Sequence, residues 1–350
     1  MNVLVTGSSG LIGSESLRFF TDLGFPVLGI DNNMRADFFG PAGDTTATRL
    51  WLEAHCPSFT HRDLDIRQRA DVDRLFRSHP VDLVVHCAAQ PSHDLAATRP
   101  YDDFDVNAGG TLNLLDACRR HAPDAVFIHV STNKVYGDGP NRIALRELET
   151  RWDYADPRFA EGIAEDFPVD HCLHSVFGAS KLAGDIMAQE YGRYFGLRTG
   201  IFRGGCLTGP QHAGVELHGF LNYLVRVALR EGPYTVFGYK GKQVRDQIHA
   251  QDVVRAFWCF AQDPRPGEVY NLGGGRENAA SLVECVEAIA RKTGKRPRLT
   301  YTEANRVGDH ICYYSDLRKL RAHYPTWQMT YSLDSIIDQL IETVVGTDGS

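Results

Sequence analysis

The chain has 350 residues, 43% of them hydrophobic and 23% charged, which fits a globular protein with one large α/β unit or two interleaved domains. Its formal net charge of −7 argues against general nucleic-acid binding, which needs a basic surface. No apolar run approaches the length of a membrane span. A strand pattern from Asn2 leaves no room for a signal peptide, and eight scattered cysteines without a Cys-x-x-Cys pair indicate reduced thiols. Both features predict a cytoplasmic location.

Short apolar runs alternate with amphipathic segments from the N-terminus onward. Strands are predicted at residues 2–6, 26–31, 82–88, 125–131 and 197–203, and helices at 11–23 and 112–120. Buried parallel strands read as near-continuous apolar runs, and short connections between strands and helices make right-handed βαβ units. The pattern therefore predicts an α/β fold with a doubly wound parallel sheet.

The second half of the chain is less regular. Helices are predicted at 220–230, 252–261 and 282–293, with a strand at 269–272. Residues 141–172 are polar and acidic and too long for a plain loop in a compact domain, which predicts a functional insertion. We expect a first domain over 1–203 that carries this insertion. A smaller, interleaved domain should form most of 204–350, with 246–272 returning to the first.

Three glycines, Gly7, Gly10 and Gly13, follow the first predicted strand and open the first predicted helix. Glycines there permit a tight turn and let a pyrophosphate approach the helix N-terminus. Asp31 ends the second predicted strand, where a carboxylate accepts hydrogen bonds from a ribose 2′-OH and repels a 2′-phosphate. Although Arg35 nearby would attract that phosphate, the pattern favours NAD over NADP. The alternative is a glycine turn that serves only helix–sheet packing.

Further segments follow the glycine turn in a fixed order. They are Asp65-Ile66, His86-Cys87-Ala88-Ala89-Gln90, Asn107-Ala108-Gly109-Gly110-Thr111 and Ser131-Thr132-Asn133-Lys134-Val135-Tyr136-Gly137. In this order they resemble the extended short-chain dehydrogenase/reductase family, from residue 1 to about residue 331. The resemblance implies a Rossmann-type sheet, with NAD as the cofactor of the first domain. The cofactor-binding residues that it implies are Gly7, Ser9, Gly10, Leu11, Ile12, Gly13, Asp31, Asn32, Asp65, Ile66, Ala88, Ala89, Gln90, Asn107 and Lys181.

The resemblance also implies a catalytic group made of Thr132, Lys181 and the residue at position 177. In the family, the threonine hydrogen-bonds the substrate and the lysine lowers the pKa of a tyrosine in a Tyr-x-x-x-Lys segment. Here that segment begins with Phe177, which has no ionisable proton. Phe177 is either an engineered change or a natural residue beside another proton-transfer group, and the coherent flanking sequence favours the second reading. The candidate groups are Lys181, His174, Tyr154, Cys206 and His93.

Within this superfamily, the chain most resembles the CDP-paratose 2-epimerases (tyvelose epimerases). The matching segments are Thr132-Asn133-Lys134-Val135-Tyr136-Gly137-Asp138, Glu147-Leu148-Glu149-Thr150-Arg151 and Gly241-Lys242-Gln243-Val244-Arg245-Asp246. Arginine forks suit diphosphate oxygens, so Arg245 and Arg306 are the expected diphosphate ligands. The substrate-binding residues that the resemblance implies are Gln90, Thr132, Asn133, Lys134, Arg203, Arg245 and Arg306. We expect no metal, because His212, Glu216 and His218 lack a further ligand at a supporting spacing.

The resemblance implies NAD-dependent epimerisation of a nucleotide-diphosphate sugar, at C2, through a transient keto-sugar. Two alternatives stay open: another enzyme on the same scaffold (a dehydratase, decarboxylase or oxidoreductase), or a catalytically impaired protein that binds NAD or a nucleotide sugar. The helices around residues 105–120 and 177–195 resemble the pair that forms the family's dimer, which predicts a homodimer.

Overall fold

The computed structural model describes residues 1–210, 219–304 and 308–348. The strands are β1 (Val3–Thr6), β2 (Val27–Ile30), β3 (Phe59–Arg62), β4 (Leu83–His86), β5 (Val126–Thr132), β6 (Leu145–Glu147), β7 (Trp152–Tyr154), β8 (Arg198–Gly204), β9 (Cys206–Thr208), β10 (Pro233–Phe237), β11 (Val244–His249), β12 (Glu268–Leu272), β13 (Ala279–Ser281) and β14 (Arg298–Thr302). Each strand predicted from the sequence is present, with ends shifted by a few residues at most.

The helices pack around these strands, and short helical turns join several of them. They are α1 (Leu11–Asp22), α2 (Met34–Phe39), α3 (Thr46–His55), α4 (Arg69–Ser78), α5 (His93–Thr98), α6 (Pro100–Phe104), α7 (Thr111–His121), α8 (Ser175–Arg193), α9 (Phe220–Leu229), α10 (Ala250–Gln262), α11 (Leu282–Thr293), α12 (Arg318–His323) and α13 (Leu333–Asp348).

Seven parallel strands form the main sheet, in the order β12-β8-β5-β4-β1-β2-β3. This confirms the doubly wound α/β fold. All four residues of β1 are buried, and so are all four of β4, which is why both read as continuous apolar runs. Strand β3 was missed because it lies at the sheet edge, where its residues alternate between half-buried and exposed.

Both faces of the main sheet are covered by helices. Successive strand residues point to opposite faces, so Val3 and Val5 pack into one apolar cluster while Leu4 packs into another. The first cluster includes Leu17 of α1 together with residues of α10, and the second includes Leu114 of α7 together with residues of α4 and α8. The helices therefore leave the carboxyl ends of the strands as the place for a ligand.

A smaller part of the molecule follows β8. Strands β9, β11 and β13 form one sheet, β10 pairs with β14, and helices α9, α11 and α13 share an apolar cluster with them. The chain then returns to the main sheet with α10 and β12, which lies beside β8. The predicted return at 246–272 includes the end of β11, which instead belongs to the three-stranded sheet.

The segment 141–172 is an ordered insertion with secondary structure of its own. It contains the antiparallel pair β6–β7, and its Tyr154 and Ile163 are buried against Tyr313 and Tyr314 near the end of the chain. Arg151 pairs with Glu284, whose carboxylate also caps α11. The insertion thus connects the main sheet to the smaller part.

Candidate active site

A cavity of about 510 Å³ opens at the carboxyl ends of the central strands of the main sheet. Gly7 follows β1, Asp31 follows β2 and Thr132 ends β5, and all three line it. The sequence-predicted residues that line the cavity are Gly7, Gly10, Leu11, Ile12, Gly13, Asp31, Asn32, Asp65, Ile66, Ala88, Ala89, Thr132, Asn133, Lys134, Phe177, Lys181 and Arg245.

The three glycines of the first turn have different roles. Gly7 has a φ of +64°, and a Cβ there would lie 2.8 Å from the backbone nitrogen of Ala88. A Cβ on Gly13 would lie 2.0 Å from the carbonyl oxygen of Gly7, so packing alone requires both glycines. Gly10 lines the cavity at the start of α1, and a Cβ there would find only the Gly7 oxygen, at 3.4 Å. The first N–H groups of α1 therefore face a space that is open to a phosphate.

Asp31 is held in place by two backbone N–H groups. Its Oδ2 accepts a hydrogen bond from Ser9 at 2.9 Å, and its Oδ1 accepts one from Asn33 at 2.8 Å. Each oxygen keeps a lone pair for a ribose hydroxyl. Ser9 is buried and does not line the cavity, so its backbone acts through Asp31. The guanidinium of Arg35 lies 4.8 Å from the centre of the Phe39 ring.

Gln90 and Asn107 do not line the cavity, contrary to the expectation that they touch ligand. Both are buried, and the Asn107 side chain accepts from the backbone nitrogen of Gln90 at 2.9 Å. Asn107 also donates to the Ser180 hydroxyl on α8, and the Gln90 amide donates to Asp103. The pair joins the loop after β4 to α8, because buried amides must satisfy their hydrogen bonds.

Arg203 is likewise absent from the cavity wall, although the resemblance made it a substrate ligand. Its guanidinium donates to both carboxylate oxygens of Asp185, each at 3.0 Å, and to the Tyr136 hydroxyl at 3.1 Å. A buried arginine needs such partners. The same carboxylate accepts from Ser131, a cavity residue next to Thr132 that the sequence reasoning did not assign. Arg203 therefore supports the end of β5.

The reacting centre lies where β5 meets α8. Thr132 ends β5, and its hydroxyl accepts from the backbone nitrogen of Lys134 at 3.3 Å. Phe177 and Lys181 are one helical turn apart on α8, so their side chains share a face. The Lys181 ammonium donates to the Val130 carbonyl at 2.8 Å. Burial lowers the pKa of Lys181 to about 8, against the opposing effect of nearby acidic groups.

The five candidate groups that could replace the missing tyrosine hydroxyl differ in whether they line the cavity. Lys181, Cys206 and His93 line the cavity. Two others do not: the His174 ring donates to the Val169 carbonyl at 2.7 Å, and Tyr154 donates to the Cys312 carbonyl at 2.8 Å. His93 contacts the Phe177 ring directly, with the ring centres 4.8 Å apart.

Comparison with known proteins identifies the family. The model of the NAD-dependent epimerase/dehydratase family matches residues 3–273. This chain belongs to that family. CDP-paratose 2-epimerase from Salmonella typhi is 31% identical over 327 residues, which cover 91% of this chain and 92% of the relative. dTDP-glucose 4,6-dehydratase from Salmonella typhimurium is 28% identical over 357 residues, which cover 98% of this chain and 92% of the relative.

A solved structure supports the same assignment. UDP-glucose 4-epimerase from Thermus thermophilus, in complex with NAD, superposes with a TM-score of 0.78 at 26% identity, covering 99% of each chain. The protein is thus an NAD-dependent enzyme of the epimerase/dehydratase family. The residues of the cavity fit this cofactor, because Gly10 leaves the α1 N-terminus open and Asp31 presents a carboxylate beside it.

On the wall of the same cavity, this epimerase/dehydratase carries a cation cluster formed by Lys134 and Arg245 around Asp309. The Lys134 ammonium lies 3.2 Å from the Asp309 carboxylate, and the guanidinium of Arg245 lies 3.6 Å from the same oxygen. Burial lowers the pKa of Lys134. Burial alone would raise the pKa of Asp309, but the charges of Lys134 and Arg245 bring it below its usual value. Asp309 was missed because no sequence pattern marks it.

One expected site residue, Arg306, lies outside the described parts of the chain. His212, Glu216 and His218, for which no metal site is expected, also lie outside them. The eight cysteines are all within the described residues and are free thiols, four of them buried. Among the residues that the structure describes, no helix combines the length and apolar character that a membrane span requires.

Proposed function

We propose that the protein epimerises a nucleotide-diphosphate sugar at C2, with NAD, through transient oxidation to a keto-sugar. The observation that carries this proposal is that one cavity is lined by the glycine turn, by Thr132 and Lys181, and by the cluster of Lys134, Arg245 and Asp309. Such a cavity offers separate places for a dinucleotide, a reacting sugar and a diphosphate. The choice of C2 rests on the similarity to CDP-paratose 2-epimerase.

Bound NAD would supply the reversible two-electron oxidation of the sugar carbon. The first turn of α1 would hold its pyrophosphate and Asp31 its adenosine ribose. Lys181, fixed by Val130, would hold the nicotinamide ribose, and Thr132 would orient the reacting hydroxyl.

The diphosphate of the substrate would bind at the cation cluster. Lys134 and Arg245 share Asp309, so the cluster has a net positive charge and guanidinium donors that match phosphate oxygens. Arg306 remains a proposed third cation, and in the sequence it stands between Thr302, the last residue of β14, and Asp309.

A dehydratase is the second candidate function, because a dTDP-glucose 4,6-dehydratase aligns over 98% of this chain at 28% identity. The deciding experiment is product analysis of the NAD-loaded protein with CDP-paratose, UDP-glucose, UDP-glucuronic acid and dTDP-glucose. Epimerisation leaves the mass of the nucleotide sugar and the redox state of NAD unchanged, whereas a dehydratase removes water and an oxidoreductase leaves NADH. Inversion at C2, seen by NMR, supports the proposal, and a product that has lost water would replace it with the dehydratase.

We also propose that the protein is a cytoplasmic homodimer. The support for the dimer is a set of exposed apolar side chains on the helices that resemble the family's dimer-forming pair and on the segments beside them. These side chains are Tyr101, Phe104, Leu112, Ile186, Tyr194 and Phe195. Exposed apolar patches mark interaction surfaces. Light scattering after size exclusion should give twice the mass of the chain, and a monomer at all concentrations would contradict the proposal.

A further inference from the structure

We propose that His93 is the proton-transfer group of this enzyme, in place of the tyrosine hydroxyl that Phe177 lacks, and that Ser175 positions its ring. The inference deepens the proposed function and rests on it, because a proton must leave the sugar hydroxyl whenever the carbon that bears it is oxidised.

The first observation is the contact between His93 and Phe177. His93 begins α5, lines the cavity, and has its ring centre 4.8 Å from that of Phe177, with the two planes inclined by 57°. Phe177 is buried, and it occupies the position that carries the acid–base group in the family pattern. An ionisable ring therefore lies against the place from which the hydroxyl is missing.

The second observation is that a hydrogen bond to Ser175 fixes the orientation of the His93 imidazole. The Nδ1 atom of His93 lies 3.0 Å from the Ser175 hydroxyl, which also accepts from the backbone nitrogen of Gly178 at 3.3 Å. Ser175 has a φ of +61°, an unusual conformation for a residue with a Cβ. Such strain persists where the surrounding structure requires it, and it clusters at functional sites.

The third observation is that His93 lies close to the cation cluster. A Cβ on Gly308 would lie 3.6 Å from the Nδ1 atom of His93, and the Gly308 carbonyl accepts from the Lys134 ammonium at 2.9 Å. A sugar whose diphosphate lies on Lys134 and Arg245 would therefore lie near His93, which lines the same cavity as Thr132.

The other groups on the cavity wall suit the role less well. Burial raises the pKa of Cys206 to about 11, which disfavours its thiolate. The Lys181 ammonium donates to the Val130 carbonyl and is the group that would hold the nicotinamide ribose. Histidine is the side chain whose unperturbed pKa lies nearest to neutral pH.

The proposed step balances as follows. As the C–H hydride of the sugar passes to NAD⁺, the hydroxyl proton passes to Nε2 of a neutral His93, leaving a keto-sugar and an imidazolium. The Nδ1–H donates to the Ser175 hydroxyl throughout. When the hydride returns to the opposite face of the carbon, the same proton returns to the oxygen, and His93 is neutral again.

The test compares His93→Gln with the unmodified protein and with His55→Gln, which changes an exposed histidine on α3. Glutamine keeps a polar side chain beside Ser175 but cannot exchange a proton. With bound NAD confirmed, we expect His93→Gln to lower kcat by about 10²–10⁴-fold with little change in KM, whereas His55→Gln keeps full turnover. Imidazole in solution should partly restore His93→Ala, and Ser175→Ala should lower kcat less than His93→Gln.

A readout without turnover is also available. Addition of UDP-glucose to the protein should shift the imidazole NMR signals that disappear in His93→Gln. Full turnover by a folded His93→Gln that binds NAD normally would overturn this inference and leave the proposed function intact. If His93→Gln does not fold, the same comparison is made with His93→Asn and with imidazole rescue of His93→Ala. No turnover by the unmodified protein on any of the four nucleotide sugars would end the proposed function, and this inference with it.

Discussion

Arg203 and Asp185 form a bidentate ion pair in which both side chains are almost fully buried, at 5% and 0% exposure. The same carboxylate accepts a hydrogen bond from Ser131, which precedes Thr132 on β5. A strand and a helix that carry the reacting centre are therefore joined by one charged network.

Removing one partner of this pair should destabilise the protein. We expect Arg203→Met to lower the free energy of unfolding by about 3–5 kcal/mol, because it leaves the Asp185 charge buried without its partner. Urea unfolding measures the loss. Arg198→Gln, on the exposed start of the same strand, is the matched control and should change stability by about 0.5 kcal/mol or less. Equal stability of the two variants would contradict the buried pair.

Lys181 should make the free energy of unfolding depend on pH in the alkaline range. Its pKa in the folded protein is about 8, below the ordinary value of 10.5. The buried ammonium therefore costs stability below pH 8, and this cost disappears as the pH rises from 8 to 10.5. Relative to Lys181→Met, the unmodified protein should gain stability over that window, as measured by urea unfolding at each pH. A constant difference would show that the lysine is not buried as a cation.

Lys181→Met should also abolish turnover while the protein still folds. The expected cause is loss of the group that would hold the nicotinamide ribose. Lys319→Met, on α12 outside the cavity, is a suitable control. Full turnover by Lys181→Met would mean that the reacting centre lies elsewhere in the cavity.

Asp31 should select NAD over NADP. Asp31→Ser removes the carboxylate that would accept from the ribose and repel a 2′-phosphate, so NAD should bind more weakly by about 1.5–3 kcal/mol. Calorimetry with both cofactors should show a smaller difference between the affinity for NAD and the affinity for NADP. Asp37→Ser, an exposed residue on α2, controls for the lost charge. Equal affinity of the unmodified protein for NAD and NADP would refute the assignment.

Arg245 should bind the substrate diphosphate. Arg245→Gln removes a charge-assisted hydrogen bond, so the dissociation constant for UDP-glucose should rise by an amount equivalent to about 1.5–3 kcal/mol, while NAD affinity changes little. Arg158→Gln, whose side chain is 81% exposed, is the control. Unchanged UDP-glucose binding by Arg245→Gln would place the diphosphate elsewhere.

The substitution Phe177→Tyr should raise kcat only slightly. If another group moves the proton, a restored hydroxyl should raise kcat by far less than the ~10²–10⁴-fold that general acid–base catalysis contributes. The measurement is kcat with bound NAD confirmed, and Phe167→Tyr, a phenylalanine outside the cavity, is the control. A large gain would show that this chain is an impaired form of a tyrosine-dependent enzyme.

The sequence by itself determined the parallel sheet, the glycine turn and the positions of Asp31, Thr132 and Lys181. These features depend on local order: apolar runs mark buried strands, and the residues that follow those strands meet at one edge of the sheet. Distance along the chain was enough to place them.

Only the tertiary structure decided the partners of the charged and polar side chains. Arg203 follows the same pattern as a ligand-binding arginine, yet Asp185 on α8 takes its guanidinium. Asp309 joins the cation cluster from the far end of the chain, and His93 meets Phe177 across two helices. The physical reason is that a side chain's charge and hydrogen bonds are satisfied by whatever the fold brings near it, which spacing along the sequence does not encode.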